Sequence, residues 1–252
     1  SWARVALARD NKDVDRLDED WAKRLSPIAV PGGQVDGYVT DLQGRFNLNN
    51  LVTDDGRLSE ADERYFRRLL RLLQLNEELS TAIADWIDPD FETRFPDGAE
   101  DDYYLSTQTP YRAANRRLQS ISELRLVKGI DATAWNKLAP YVCALPGRSP
   151  LNINTASAPV LAALVEEFSL REGEQMVAAR GEGGYDSVNA FLDQDLFAGR
   201  DMEAVVSTLG VSSSYFLLRG EVIVGTARAR LFSVLERGDT GVRTLARTQG
   251  TW

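Results

Sequence analysis

Strand-type patterning stands at both ends of this chain, and about 150 residues of helix-type patterning separate the two. At the first end, residues 35–51 (VDGYVTDLQGRFNLNNL) alternate apolar and polar side chains around Gly44, which predicts one strand or a short hairpin. At the other end, YFLLRGEVIVG, ARARLFSVLERG and VRTLARTQG predict three strands. Gly225-Thr226 and Gly238-Asp239-Thr240-Gly241 part them. The simplest architecture is α+β: a helix on an antiparallel sheet, with a large α-helical domain inserted between the strands. Residues 1–53 and 210–252 are expected to form the sheet domain, and residues 54–209 the insertion.

The helical readings rest on apolar spacing and on start and stop signals. Val14, Leu17, Trp21, Leu25 and Ile28 recur at three- and four-residue steps, predicting a helix over residues 2–25 that Pro27, Pro31 and Gly32-Gly33 stop. Ser59 is placed to cap a helix whose stripe is Tyr65, Phe66, Leu69, Leu70, Leu72 and Leu73. A second helix at about 77–87 ends before Pro89. Short helices are expected near 111–119, 122–127 and 131–142, behind Thr155, and near 171–180, 187–193 and 201–208.

Composition removes several function classes. The 252 residues contain no histidine, which excludes Ser-His-Asp and Cys-His catalysis and histidine-ligated metals. Cys143 is the single cysteine, so an internal disulfide is excluded, and its apolar setting (YVCAL) reads as buried. The net charge of −9 disfavours generic nucleic-acid binding. Every stretch of membrane-spanning length is interrupted by charge. The chain starts at Ser1 and is read as a piece of something longer.

Most of that negative charge sits in residues 85–102, DWIDPDFETRFPDGAEDD, which carry eight acids against Arg94. Packed carboxylates raise one another's pKa unless a cation neutralises them, and a hard ion such as calcium suits an oxygen-rich loop. The spacing is not that of an EF-hand: counted from Asp88, Thr93 stands where glycine is needed and Ala99 where glutamate is needed. A solvated surface loop and a glycosidase-type carboxylate pair are the alternatives. Trp86, Tyr103 and Tyr104 flank the loop and are expected to anchor it.

Residues 151–192 are similar to a helix-hairpin-helix module, and residues 122–142 have the same flavour. In DNA-binding versions a glycine-rich turn offers N–H groups to phosphate. Here the turn is EEFSLREGE, with four glutamates, and predicts packing rather than phosphate binding. A DNA-binding module is the alternative function. The Asn and Gln side chains of DLQGRFNLNNL are expected to hydrogen-bond turn backbone.

Five motifs in register carry a resemblance: DLQGRFNLNNLV (41–52), ADWIDPD (84–90), GAEDDYY (98–104), SELRLVKGI (122–130) and LNINTAS (151–157). Together they closely resemble general secretion pathway protein K, the K-type minor pseudopilin family of the bacterial type II secretion system. The resemblance implies a pilin-like fold with a SAM- or helix-hairpin-helix-like insertion, and no enzyme activity. It implies a periplasmic domain held to the inner membrane by an N-terminal helix that this sequence lacks. It implies a heterotrimer with the I-type and J-type minor pseudopilins that caps the pseudopilus tip and starts its assembly. There it would support export of folded proteins through the outer-membrane secretin, with exoproteins and the secretin as further contacts. It also implies calcium in the helical domain, with Asp88, Asp90, Asp97, Glu100 and Asp101 as the expected ligands. Val14, Leu17 and Trp21 on the N-terminal helix are the expected partner contacts, and no nucleic-acid partner is expected.

Overall fold

The computed structural model describes residues 2–250. The first helix, α1, spans Trp2–Arg9 and is far shorter than the apolar spacing predicts. Residues 10–24 run irregularly, because short polar side chains offer the backbone local turns in place of helix: Asn11 Oδ1 accepts from Asp13 N at 3.0 Å. Leu25 and Ile28, read as the end of that helix, instead belong to β1 (Leu25–Val30). β1 is an edge strand with a register shift between Leu25 and Ile28, and Pro27 is tolerated at that irregularity. β2 (Gly33–Asp41) follows.

The chain then leaves the sheet. β3 (Phe46–Asn47) and a 3-10 turn over Leu48–Leu51 lead to α2 (Glu60–Leu72), whose buried face is Tyr65, Phe66, Leu69 and Leu70 as the spacing predicts. α3 (Leu79–Ile87) ends at Asp88, before Pro89. After the acidic loop come α4 (Asp101–Leu105), a 3-10 segment over Ile121–Leu126 and α5 (Ala132–Leu138). Residues 111–119 are not helical. β4 (Val142–Cys143) pairs with β3, and β5 (Leu151–Asn152) starts the second half. α6 (Ala158–Ala162) has Ser157, not Thr155, at its N-cap, and α7 (Leu170–Arg180) packs on it. α8 (Val188–Leu192), α9 (Glu203–Val206) and β6 (Leu209–Gly210) close the insertion.

β7 (Tyr215–Val224), β8 (Ala227–Gly238) and β9 (Gly241–Gln249) complete a five-stranded antiparallel sheet of order β1-β2-β7-β8-β9. Asp41 pairs with Phe216, so the insertion leaves and returns at one end of neighbouring strands. One sheet face packs under α1 through Ala3, Leu7, Trp21, Val39, Phe216 and Leu235. Leu217 and Val234 pack with Leu42, Cys143 and Leu145 of the insertion, so Cys143 is the buried hydrophobe its setting suggests. The largest core runs from Phe46 to Leu209, so residues 46–53, expected in the sheet domain, belong with the insertion.

Polar side chains of two motifs hold the joint between sheet and insertion. Asn152 Nδ2 donates to Asp41 Oδ2 (3.0 Å), Ser213 Oγ (3.0 Å) and the Asp15 carbonyl (3.2 Å). Asn49 donates to the Leu118 and Leu145 carbonyls (both 2.9 Å), and Asn50 to the Ser149 carbonyl (2.9 Å). The amides of DLQGRFNLNNL therefore satisfy buried backbone far away in sequence as well as in local turns.

Candidate metal centre and partner surface

The acidic loop is organised by Asp85, a residue of α3 that sequence reading did not single out. Its carboxylate is buried and accepts from Arg94 N (3.1 Å), Ala99 N (2.9 Å) and Arg94 Nη1 (2.9 Å), clamping the loop at both ends. Gly98 is required there: a Cβ on it would stand 2.1 Å from Asp85 Oδ2. Lys128 caps the Asp97 and Gly98 carbonyls (3.4 and 3.1 Å) and lies over the Tyr103 ring at 5.2 Å. Trp86 and Tyr104 are buried edge-to-face at 5.1 Å and anchor the loop to the core, while Tyr103 is partly exposed.

Within this frame Asp88, Asp90 and Glu100 come together, each offering an oxygen within 4.8 Å of the others. Asp88 and Glu100 are buried, and Asp90 faces solvent. Arg94 pairs with Asp88 Oδ2, but Asp88 Oδ1 and both Glu100 carboxylate oxygens have no hydrogen-bond partner. Burial pushes Asp88 up to about 6, against the pull of Arg94. Burial, reinforced by the charges of Asp85, Asp88 and Asp90, pushes Glu100 up to about 7. Asp97 and Asp101, also expected as ligands, lie outside the group. Asp101 is committed to Arg112 (2.6 Å) and Ala113 N (3.0 Å), and only the backbone carbonyl of Asp97 takes part in the clamp, through Lys128.

The donor set fits a hard cation. It is all oxygen, it includes buried acceptors with nothing to accept from, and among the described residues Arg94 alone offsets its charge. A cation would be held by Asp88, Asp90 and Glu100. With a cation bound, the arrangement would supply charge neutralisation and loop order.

The expected partner stripe does not form. Trp21 is 1% exposed, packs edge-on to Phe216 at 5.1 Å and donates its indole N–H to Glu19, so it is a core residue. Leu17 is 53% exposed and Val14 half-buried, both on the irregular segment rather than on a helix. The exposed apolar side of α1 is carried by Val5. It borders a cavity of about 860 Å³ together with Trp2, Ala6, Leu25 and Ile28.

The α6 and α7 helices pack on each other. Three of the four glutamates in the turn are engaged within the chain: Glu166 with Arg68 and Arg71, Glu167 with Arg200, and Glu172 with the Ser169 cap. Gly173 lets α7 touch the Ala158 carbonyl of α6, where a Cβ would stand at 2.2 Å.

Two family models, both described as type II secretion system protein K, match residues 44–147 and 151–212. A type II secretion system protein K of Pseudomonas aeruginosa is 40% identical over 94% of this chain and 72% of its own length. That of Aeromonas hydrophila is 35% identical over 91% of this chain and 75% of its own length. Among solved structures, a chain of the GspK-GspI-GspJ complex from enterotoxigenic Escherichia coli superposes with a TM-score of 0.89 at 29% identity. That match covers 100% of this chain and 92% of the solved one.

Proposed function

This chain belongs to the type II secretion system protein K family, and from that premise we propose that it is a minor pseudopilin capping the pseudopilus tip. In this reading it assembles with I-type and J-type minor pseudopilins, as the structural neighbour does in its GspK-GspI-GspJ complex. It works in the periplasm as a structural component and not as an enzyme, initiating assembly and supporting export of folded proteins through the secretin. No helix among the described residues is long and apolar enough to cross a membrane. Anchoring at the inner membrane is part of the same proposal.

The observation that carries the cap is the seat of the insertion. It leaves from Asp41 and returns at Tyr215, neighbouring strand ends, so both of its connections lie at one end of the sheet. Pilin-type filaments grow by repeating heterologous contacts between subunits, and a block at one end of a subunit stops that repeat. Calcium fits the same reading: held by Asp88, Asp90 and Glu100, it would set the loop that α3 and α4 flank.

The test is light scattering on a size-exclusion column with the mixed periplasmic domains, together with labelling of assembled pseudopili. A one-to-one-to-one complex and a single label at one filament end are expected. Label along the whole filament would overturn the cap.

A further inference from the structure

A second set of carboxylates meets where the chain leaves α1, well apart in sequence from the acidic loop. Asp10, Asp15 and Glu19 each bring an oxygen within 4.8 Å of the others. Asp15 is fully buried, at 0% exposure. Both of its hydrogen bonds, from Ser213 N at 2.6 Å and from Arg237 Nη2, land on Oδ2. Its Oδ1 is buried and accepts from nothing, which leaves that oxygen to offer to the group. Glu19 is arranged alike: Trp21 Nε1 (2.7 Å) and Arg16 N (2.9 Å) both donate to Oε2. Asp10 Oδ2 accepts from Arg237 Nη1 at 3.1 Å.

Among the described residues Arg237 is the one cation paired with this group, a single positive charge against three negative ones. A buried carboxylate oxygen without a donor is costly, and the residual charge of the set matches a divalent ion. On Asp15 and Glu19 the hydrogen bonds fall on a single oxygen and hold the carboxylate in place, as outer partners orient metal ligands. Asp10 and Glu19 also line the cavity between α1, the 18–24 segment and β1, which gives a hydrated ion its way in.

We propose that Asp10, Asp15 and Glu19 form a second cation site, taking a hard divalent ion of the calcium type, that ties the segment after α1 to the end of the sheet where the insertion joins. Water completes the coordination shell from the cavity side. The site shares no residue with the acidic loop and stands or falls without it.

Terbium is the probe, because the Trp21 indole is hydrogen-bonded to Glu19 and lies beside any lanthanide bound there. The whole chain carrying Asp88→Asn and Glu100→Gln is titrated with terbium under tryptophan excitation. Sensitised emission that calcium displaces is expected. Adding Asp10→Asn and Glu19→Gln should remove it, with the thermal transition retained. Those two half-exposed positions carry the test because Asp15→Asn would also disturb Arg237. Emission unchanged by the Asp10 and Glu19 substitutions would overturn the site, as would a parent variant that binds neither terbium nor calcium in equilibrium dialysis. Should the acidic loop itself take no ion, all of the wild-type signal would follow Asp10 and Glu19, which separates the two sites.

Discussion

Asp41 and Ser213 lie 172 positions apart and share a 2.6 Å hydrogen bond in which Ser213 Oγ donates to Asp41 Oδ2. The same oxygen accepts from Thr155 Oγ1 (2.6 Å) and Asn152 Nδ2 (3.0 Å), so one buried carboxylate gathers β2, the start of the second insertion half and the approach to β7. Removing one partner of a buried hydrogen bond leaves the other stranded, at a cost of about 1–3 kcal/mol. Ser213→Ala is expected to cost that much in urea unfolding. Asp41→Ala should cost more, because it strands four donors at once, the Gln43 N–H on Oδ1 included. A midpoint unmoved by either change would show that the joint contributes nothing to stability.

Glu100→Gln should act in opposite directions with and without calcium. In chelator it removes a buried charge that has no partner, and the melting temperature should rise. With calcium it removes a ligand, and the stabilisation by calcium should vanish. For the parent chain that stabilisation is about 2.7 kcal/mol at an ion concentration of 100 Kd, if the ion binds the folded state alone. A variant that kept the full calcium increment would remove Glu100 from the site.

The pH dependence follows from the same groups. Folding lifts Glu100 from an ordinary 4.5 to about 7 and Asp88 from 3.8 to about 6. Groups raised in this way bind protons on folding, so without cation the fold gains most below the ordinary values and loses stability as pH rises toward about 7. Asp15, lifted by burial to about 7, adds the same sign. Calcium binds the deprotonated carboxylates, so its increment should grow over the same interval. Melting temperature between about pH 5 and about pH 7.5 should therefore fall in chelator and hold nearly level in saturating calcium. Parallel slopes would contradict this.

Trp21 and Leu17 should separate folding from assembly. Trp21→Ala empties a core position and should cost about 3–5 kcal/mol. Leu17→Asp changes an exposed side chain and should leave the thermal transition within about 0.5 kcal/mol of the parent. Val5→Asp, on the exposed side of α1, should also leave the fold intact while weakening the complex with the I-type and J-type domains. A complex of undiminished affinity would move the interface away from α1.

What the sequence revealed depended on the length of each signal. The stripe of α2 repeats over three turns and the strands β7 to β9 alternate over nine to twelve residues, so both are readable without a structure. Val14, Leu17 and Trp21 fit a helical period by coincidence, because Trp21 is buried through a turn of the chain rather than through a helix face. In the acidic loop, composition pointed to the region and left its ligands unsorted. Asp85, Asp97 and Asp101 differ from Asp88 and Glu100 only in where neighbouring N–H groups and arginines stand, and spacing does not encode that. Asp10, Asp15 and Glu19 escaped notice because the bases on either side balance them over residues 1–24, six against six.

The insertion occupies the place of a hairpin turn, since the strands it joins are hydrogen-bonded neighbours over nine residue pairs. That geometry sets how a mechanical load would travel. A thrust on the helical block, directed along the strands, enters β2 and β7 side by side and in the same sense. The ladder between the two strands then moves as a unit and is not sheared. The force spreads outward into β1 and β8, so the place where the sheet is interrupted by sequence is not the place where it would first give way.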